Sequence, residues 1–81
     1  MHWFRLDSSV FTAAVYRRAK RTLDLLFRSG ERYRYFDFSP QQYRDFLAAD
    51  SKGQYFSSNI RGHFRFEHLP RRRRKPPQSE N

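Results

Sequence analysis

The arginine and lysine side chains are the groups in this sequence best suited to a chemical role, and they occur in clusters. Four lie within residues 17–21, and five run without interruption over residues 71–75. Guanidinium and ammonium groups bind phosphate by charge, and arginine adds a bidentate fork. The pattern therefore favours contact with a nucleic-acid backbone. The side chains that we expect to make it are Arg17, Arg18, Lys20, Arg21, Arg32, Arg34, Lys52, Arg61, Arg71, Arg72, Arg73 and Arg74.

The overall charge supports the same class of partner. Across 81 residues, 17 Lys and Arg face 8 Asp and Glu, which gives a formal net charge of +9. A basic balance of this size predicts RNA or DNA as the partner. The alternative is a solvated basic surface that only keeps a small protein soluble. The oligomeric state is left open by the sequence.

Groups that could support catalysis or metal binding are sparse. There is no Cys, and the three imidazoles are His2, His63 and His68. A spacing of five does not place His63 and His68 on one helical face, and Asp7 with its following serines shows no nucleophile elbow. We therefore predict a protein that is not an enzyme and has no cofactor and no metal. Lys52 and Gly53 lack the Gly-rich run of a phosphate-binding loop.

The apolar pattern predicts where the protein resides. No apolar run approaches the roughly 18 residues that a membrane span requires. The stretch from Val10 to Val15 is too short for a signal peptide and is followed by two arginines. We therefore expect a cytoplasmic protein that does not insert into membranes.

The periodicity changes once along the chain and predicts an α+β fold. Three runs, over residues 10–17, 22–28 and 32–37, read as strands, and Gly30 supplies the turn between the second and third. Two helix starts follow, at Ser39 and Ser51, each a potential N-cap. We expect a three-stranded antiparallel meander covered by two short helices, in the order β-β-β-α-α, with a short extended segment at the end. This single domain covers residues 1–69, and residues 70–81 form a disordered basic tail.

Aromatic residues offer two further roles. Tyr33 and Tyr35 share one face of the third strand, where they could stack on bases or pack beneath the helices. We favour packing, because the leucines of the neighbouring strand need partners on that face. Exposed rings such as Trp3, Phe4 or Phe36 would instead suit a protein–protein adaptor with no nucleic-acid role, which is the alternative function.

An ordered set of residues over about 8–65 resembles the KTSC domain, a family named for the C-terminal extension of some lysyl-tRNA synthetases that also occurs as a free-standing small protein. The resemblance implies a compact domain with no catalytic site and an association with RNA, with tRNA as one candidate. Val15, Arg17 and Ser39 depart from the family pattern, and Arg17 makes this chain more basic. The residues that carry the resemblance are Ser8, Ser9, Tyr16, Leu23, Phe27, Gly30, Tyr33, Arg34, Tyr35, Pro40, Tyr43, Ala49, Ser51, Gly53, Tyr55, Phe56, Ile60 and Arg61.

Overall fold

The computed structural model describes residues 3–70 and contains one antiparallel sheet with two helices on one of its faces. The elements in chain order are β1 Phe4–Arg5, β2 Phe11–Arg17, β3 Thr22–Phe27, β4 Arg32–Tyr35, α1 Pro40–Ala48, α2 Lys52–Tyr55, the π-helical turn Phe56–Ile60 and β5 Phe66–Leu69. The five strands lie in the sheet in the order β1-β2-β3-β4-β5, so each strand is hydrogen-bonded to the strand that precedes or follows it in the chain. Between β4 and β5 the chain forms the two α-helices and the π-helical turn.

The predicted three-stranded meander is wrong, although the α+β class is retained. The three central strands form as expected, and the structure adds an edge strand at each side of the sheet. β1 has only two residues, and β5 is exposed along most of its length. Sequence alternation reports which residues are buried on one face, so strands this short or this exposed carry little of it. β5 forms because the chain returns after the helices and pairs its backbone with β4.

The buried core lies between the helices and the inner face of the sheet. Leu23 and Leu25 on β3 are fully buried, as their alternation predicts. Aromatic rings fill the remaining space, and Phe11 contacts the rings of Phe46 and Phe56 edge-on, with centroids 5.7 and 5.5 Å apart. Such edge-to-face contacts suit the charge distribution of aromatic rings and add to the hydrophobic gain of burial. A few rigid rings thus supply the core of a very small domain.

The first helix starts where the sequence predicts. Ser39 accepts a hydrogen bond from the Gln42 backbone amide, and the Gln42 side chain accepts one from the Ser39 amide. This capping box satisfies two amides that the helix leaves without partners, and Pro40 needs no such partner. Ser51 caps α2 through the amide of Gln54. No helix within residues 3–70 has the length and apolar character that a bilayer crossing requires.

Candidate nucleic-acid interface

The turn between β2 and β3 presents three exposed cations. Arg17 pairs with Thr22 across the two strands, and residues 18–21 form the loop that joins them. Arg18, Lys20 and Arg21 are exposed, and none of their side chains forms a hydrogen bond or ion pair with another residue in the range 3–70. We call these three residues the basic turn. Their charges are available to an anionic ligand.

Backbone contacts fix the basic turn against the start of α1. Arg21 adopts a left-handed backbone with a φ of 53°, and its amide donates to the carbonyl oxygen of Arg18 at 3.2 Å. The Arg21 carbonyl accepts a hydrogen bond from the amide of Phe38 at 2.9 Å. These two hydrogen bonds place the basic turn, with its three cations, next to the start of the helix.

A cleft of about 280 Å³ lies between the basic turn and α1. Tyr16 and Tyr43 form its wall, with their rings stacked at a centroid distance of 4.7 Å. Arg18 and Arg44 lie at its rim, and Arg44 also donates to the side chain of Gln41 at 2.8 Å. Sequence reasoning missed Arg44, because this arginine stands alone in the sequence and reaches the cleft only through the packing of α1.

Arg17 and Arg34, two of the predicted contact residues, lie on the opposite face of the sheet around a buried acid. Arg34 donates from Nε and Nη2 to the Asp24 carboxylate at 2.8 and 3.0 Å, and Arg17 donates from Nη1 at 2.9 Å. Burial alone would raise the pKa of Asp24, but these hydrogen bonds and the two positive charges outweigh burial and lower it below the usual value. The ion pairs offset much of the charge that these arginines would present to phosphate.

The remaining predicted cations in the range 3–70 are dispersed. Arg32 donates from Nη2 to the carbonyl of Pro70, and Lys52 donates to the carbonyl of Ala49 beside α2. Arg61 lies over the ring of Phe56, 5.8 Å from its centroid. The structure therefore does not gather all the predicted contacts into one patch. The predicted tail contacts, Arg71, Arg72, Arg73 and Arg74, and nearly all of the predicted disordered tail lie outside the described residues.

Tyr33 and Tyr35 both pack against the core, but they differ in exposure. Tyr35 is buried, with 4% of its surface exposed, as packing beneath the helices predicts. Burial is the main reason that its pKa is raised to about 12, and the neighbouring Tyr33 adds to this effect whereas Arg61 opposes it. Tyr33 is only half-buried and lines a second, aromatic cavity together with Tyr35.

The described part of the chain contains no cluster of three or more His, Asp or Glu side chains that could hold a metal ion. His68 contacts a carboxylate oxygen of Glu31 and stacks on Tyr33, with ring centroids 4.6 Å apart.

Residues 7–64 match the family model of the KTSC domain. A protein of Tsukamurella paurometabola is 35% identical over 60 residues, which make up 74% of this chain and 90% of that protein. A lysine–tRNA ligase of Nostoc punctiforme is 40% identical over 63 residues, or 78% of this chain, but the match spans only 11% of the ligase. The crystal structure of a KTSC domain protein from Yersinia pestis superposes with a TM-score of 0.82 at 26% identity, covering 85% of this chain and 97% of that one.

Proposed function

This chain belongs to the KTSC domain family, and we propose that it is a non-catalytic domain that binds RNA through phosphate contacts made by the basic turn. The observation that carries the proposal is the exposure of Arg18, Lys20 and Arg21 in one fixed loop, without acidic partners in the range 3–70. When these cations neutralise RNA phosphates, the counterions condensed on the RNA are released, which favours binding.

The cleft beside the basic turn extends this surface. Arg18 and Arg44 at its rim can each hold a phosphate by two parallel hydrogen bonds, and the Tyr16 and Tyr43 rings give the backbone a wall to lie against. Two relatives are named as lysine–tRNA ligases, which makes tRNA the first RNA to test. A cytoplasmic location is part of the same proposal.

The test is the salt dependence of binding to tRNA, measured by fluorescence anisotropy with the full chain. About four phosphate contacts predict that log K falls against log salt with a slope of roughly −3 to −4. Arg18→Gln and Arg21→Gln should each make the slope shallower by about 0.7–0.9. A slope near zero for the unaltered chain would contradict the proposal.

Arg5→Gln is the matched control for these variants. Arg5 is an exposed cation on β1, and its removal lowers the net charge by the same amount. If Arg5→Gln weakened binding as much as Arg18→Gln does, the effect would come from total charge and not from the basic turn. Replacing Arg71, Arg72, Arg73 and Arg74 with Gln in the full chain would show whether the tail carries the binding instead.

The alternative function, a protein–protein adaptor, is favoured by a different observation. Trp3 and Phe4 are adjacent at one edge of the sheet and are 39% and 55% exposed. Large exposed rings are frequent anchors in protein interfaces. If the chain binds no RNA and sedimentation shows self-association that Trp3→Ser abolishes, the adaptor function would replace RNA binding.

A further inference from the structure

A cavity of about 360 Å³ opens on the helix side of the sheet, at the end of the strands away from the basic turn. Its lining is mainly aromatic, with one cation at the rim and the polar side chains of Ser29 and Glu31 at one end. We call it the aromatic groove, and the residues that define it are Phe27, Tyr33, Tyr35, Phe56, Phe66 and Arg61.

Strand β5 creates one wall of the aromatic groove. Its pairing with β4 places Phe66 beside Tyr35 and His68 beside Tyr33 on the helix side of the sheet. The Phe66 ring lies 5.7 Å from Tyr33 and 5.9 Å from Tyr35, yet 56% of Phe66 remains exposed. The Phe66 ring is therefore open to a ligand at this edge of the sheet.

The π-helical turn supplies the groove's cation. The amide of Arg61 donates to the carbonyl of Phe56 at 2.8 Å, which is the wider hydrogen-bond spacing of a π-turn. This spacing buries Phe56 and Ile60 in the core and leaves Arg61 exposed over the Phe56 ring. A guanidinium group therefore lies at the entrance of an apolar, ring-lined space.

We propose that the aromatic groove holds one unpaired base of a bound RNA, which stacks on the exposed Phe66 ring while Arg61 contacts the adjoining phosphate. The inference rests on the proposed function and adds a second contact to it. The base of a nucleotide presents a flat π-face to Phe66 and polar edges to Ser29 and Glu31, and its phosphate presents a negative charge to Arg61. An apolar peptide side chain would use the ring but would bring no negative charge to Arg61.

The first experiment compares an oligoadenylate of about eight nucleotides with an abasic oligomer of equal length. Both carry the same phosphates, so contacts at the basic turn are retained in each. Base stacking on aromatic side chains is strong enough that the abasic oligomer should bind about 10-fold more weakly. Equal affinities would refute base binding in the aromatic groove and leave phosphate binding by the basic turn intact. If neither oligomer showed salt-dependent binding, both proposals would be refuted.

The second experiment uses Phe66→Leu, which keeps an apolar side chain on β5 but removes the π-face. We expect about 10-fold weaker binding to the oligoadenylate with an unchanged salt slope, and Phe66→Trp should restore affinity. Phe4→Leu is the matched control, because Phe4 is also on an edge strand and is 55% exposed. Arg61→Gln should weaken binding and make the slope shallower by about 0.7–0.9.

A fluorescent base reports occupancy of the groove directly. 2-Aminopurine placed in the oligomer should be quenched on binding to the unaltered chain and less quenched on binding to Phe66→Leu. If Phe66→Leu and Phe4→Leu gave equal quenching, the proposal that a base stacks in the aromatic groove would be refuted, whatever the affinities of the two variants. The proposal would also be refuted if an apolar peptide bound in the aromatic groove and RNA did not displace it.

Discussion

Replacing Asp24 with asparagine removes the negative charge on the sheet face opposite the helices. The substitution tests how much the ion pairs with Arg17 and Arg34 contribute to the free energy of unfolding. The Asp24 side chain is only 2% exposed and accepts three hydrogen bonds from these two arginines. An asparagine at this position would keep a single acceptor oxygen and turn an amide NH₂ toward a guanidinium group. Two positive charges would then face each other with no acid between them.

The geometry sets the expected size of the effect. Hydrogen bonds to charged groups contribute about 1.5–3 kcal/mol each, and breaking a buried pair costs about 3–5 kcal/mol. The arginine side chains are 23% and 32% exposed, so water screens part of their repulsion. We therefore expect Asp24→Asn to lower the free energy of unfolding by about 2–4 kcal/mol. In a domain of this size, Tm would fall by roughly 10–30 °C.

Thermal and urea unfolding followed by circular dichroism would measure the change, with Glu67→Gln as the control. Glu67 is exposed and pairs with Arg34 across β4 and β5, so its substitution should cost less than about 0.5 kcal/mol. If Asp24→Asn cost no more than Glu67→Gln, the buried ion pairs would not stabilise the fold and the reasoning would be refuted.

The pH dependence gives an independent check. The pKa of Asp24 is lowered in the folded protein, so the stability that its charge contributes is fully present above the unfolded pKa of 3.8. It is lost as pH falls through the lower folded value. The difference between the unaltered chain and Asp24→Asn should therefore be constant near neutral pH and shrink below about pH 4. A difference that grew on acidification would contradict the assigned direction.

Substitutions of Arg17 and Arg34 distinguish a role in fold stability from a role in RNA binding. Arg34→Gln removes two hydrogen bonds to Asp24 and Arg17→Gln removes one, so each variant should lower Tm. If these arginines act only in the fold, neither variant changes the salt slope of RNA binding. If either makes the slope shallower by about 0.7–0.9, that arginine also contacts phosphate.

Three further predictions concern stability. Ser39→Ala breaks the capping box and should cost about 0.5–2 kcal/mol in urea unfolding without changing the salt slope of RNA binding. Gly53→Ala should destabilise by about 1–3 kcal/mol, because the new Cβ would meet Val10 Cγ2 at 2.7 Å, and Val10→Ala should restore much of the loss. Tyr35 should ionise near pH 12 in an ultraviolet titration. Because its folded pKa is raised, the stability that the neutral Tyr35 side chain contributes is present below about pH 10 and is lost as pH rises toward 12. A Tyr35 that titrates near pH 10 in the folded chain would contradict this assignment.

The local structure of this chain follows closely from its sequence. Alternation along β3 places Leu23 and Leu25 in the core, and the Ser39 cap starts α1 where the capping-box pattern predicts. Gly30 takes a positive φ of 99° in the turn after β3. The KTSC resemblance is likewise confirmed by the match over residues 7–64. The strand alternation, the helix cap and the glycine turn each depend on residues that are neighbours in the chain.

The tertiary structure decided the features that depend on distant contacts. Asp24 lies on the face opposite the core leucines, where alternation predicts exposure, yet Arg17 and Arg34 from the neighbouring strands bury it. β5 pairs with β4 only after the chain has passed through both helices, and this pairing completes the aromatic groove. A periodic pattern records the average environment of one face, whereas edge-strand pairing and ion pairing depend on which distant residues pack together. The sequence therefore determined the three central strands and the helix starts, and packing determined the edge strands and the surfaces.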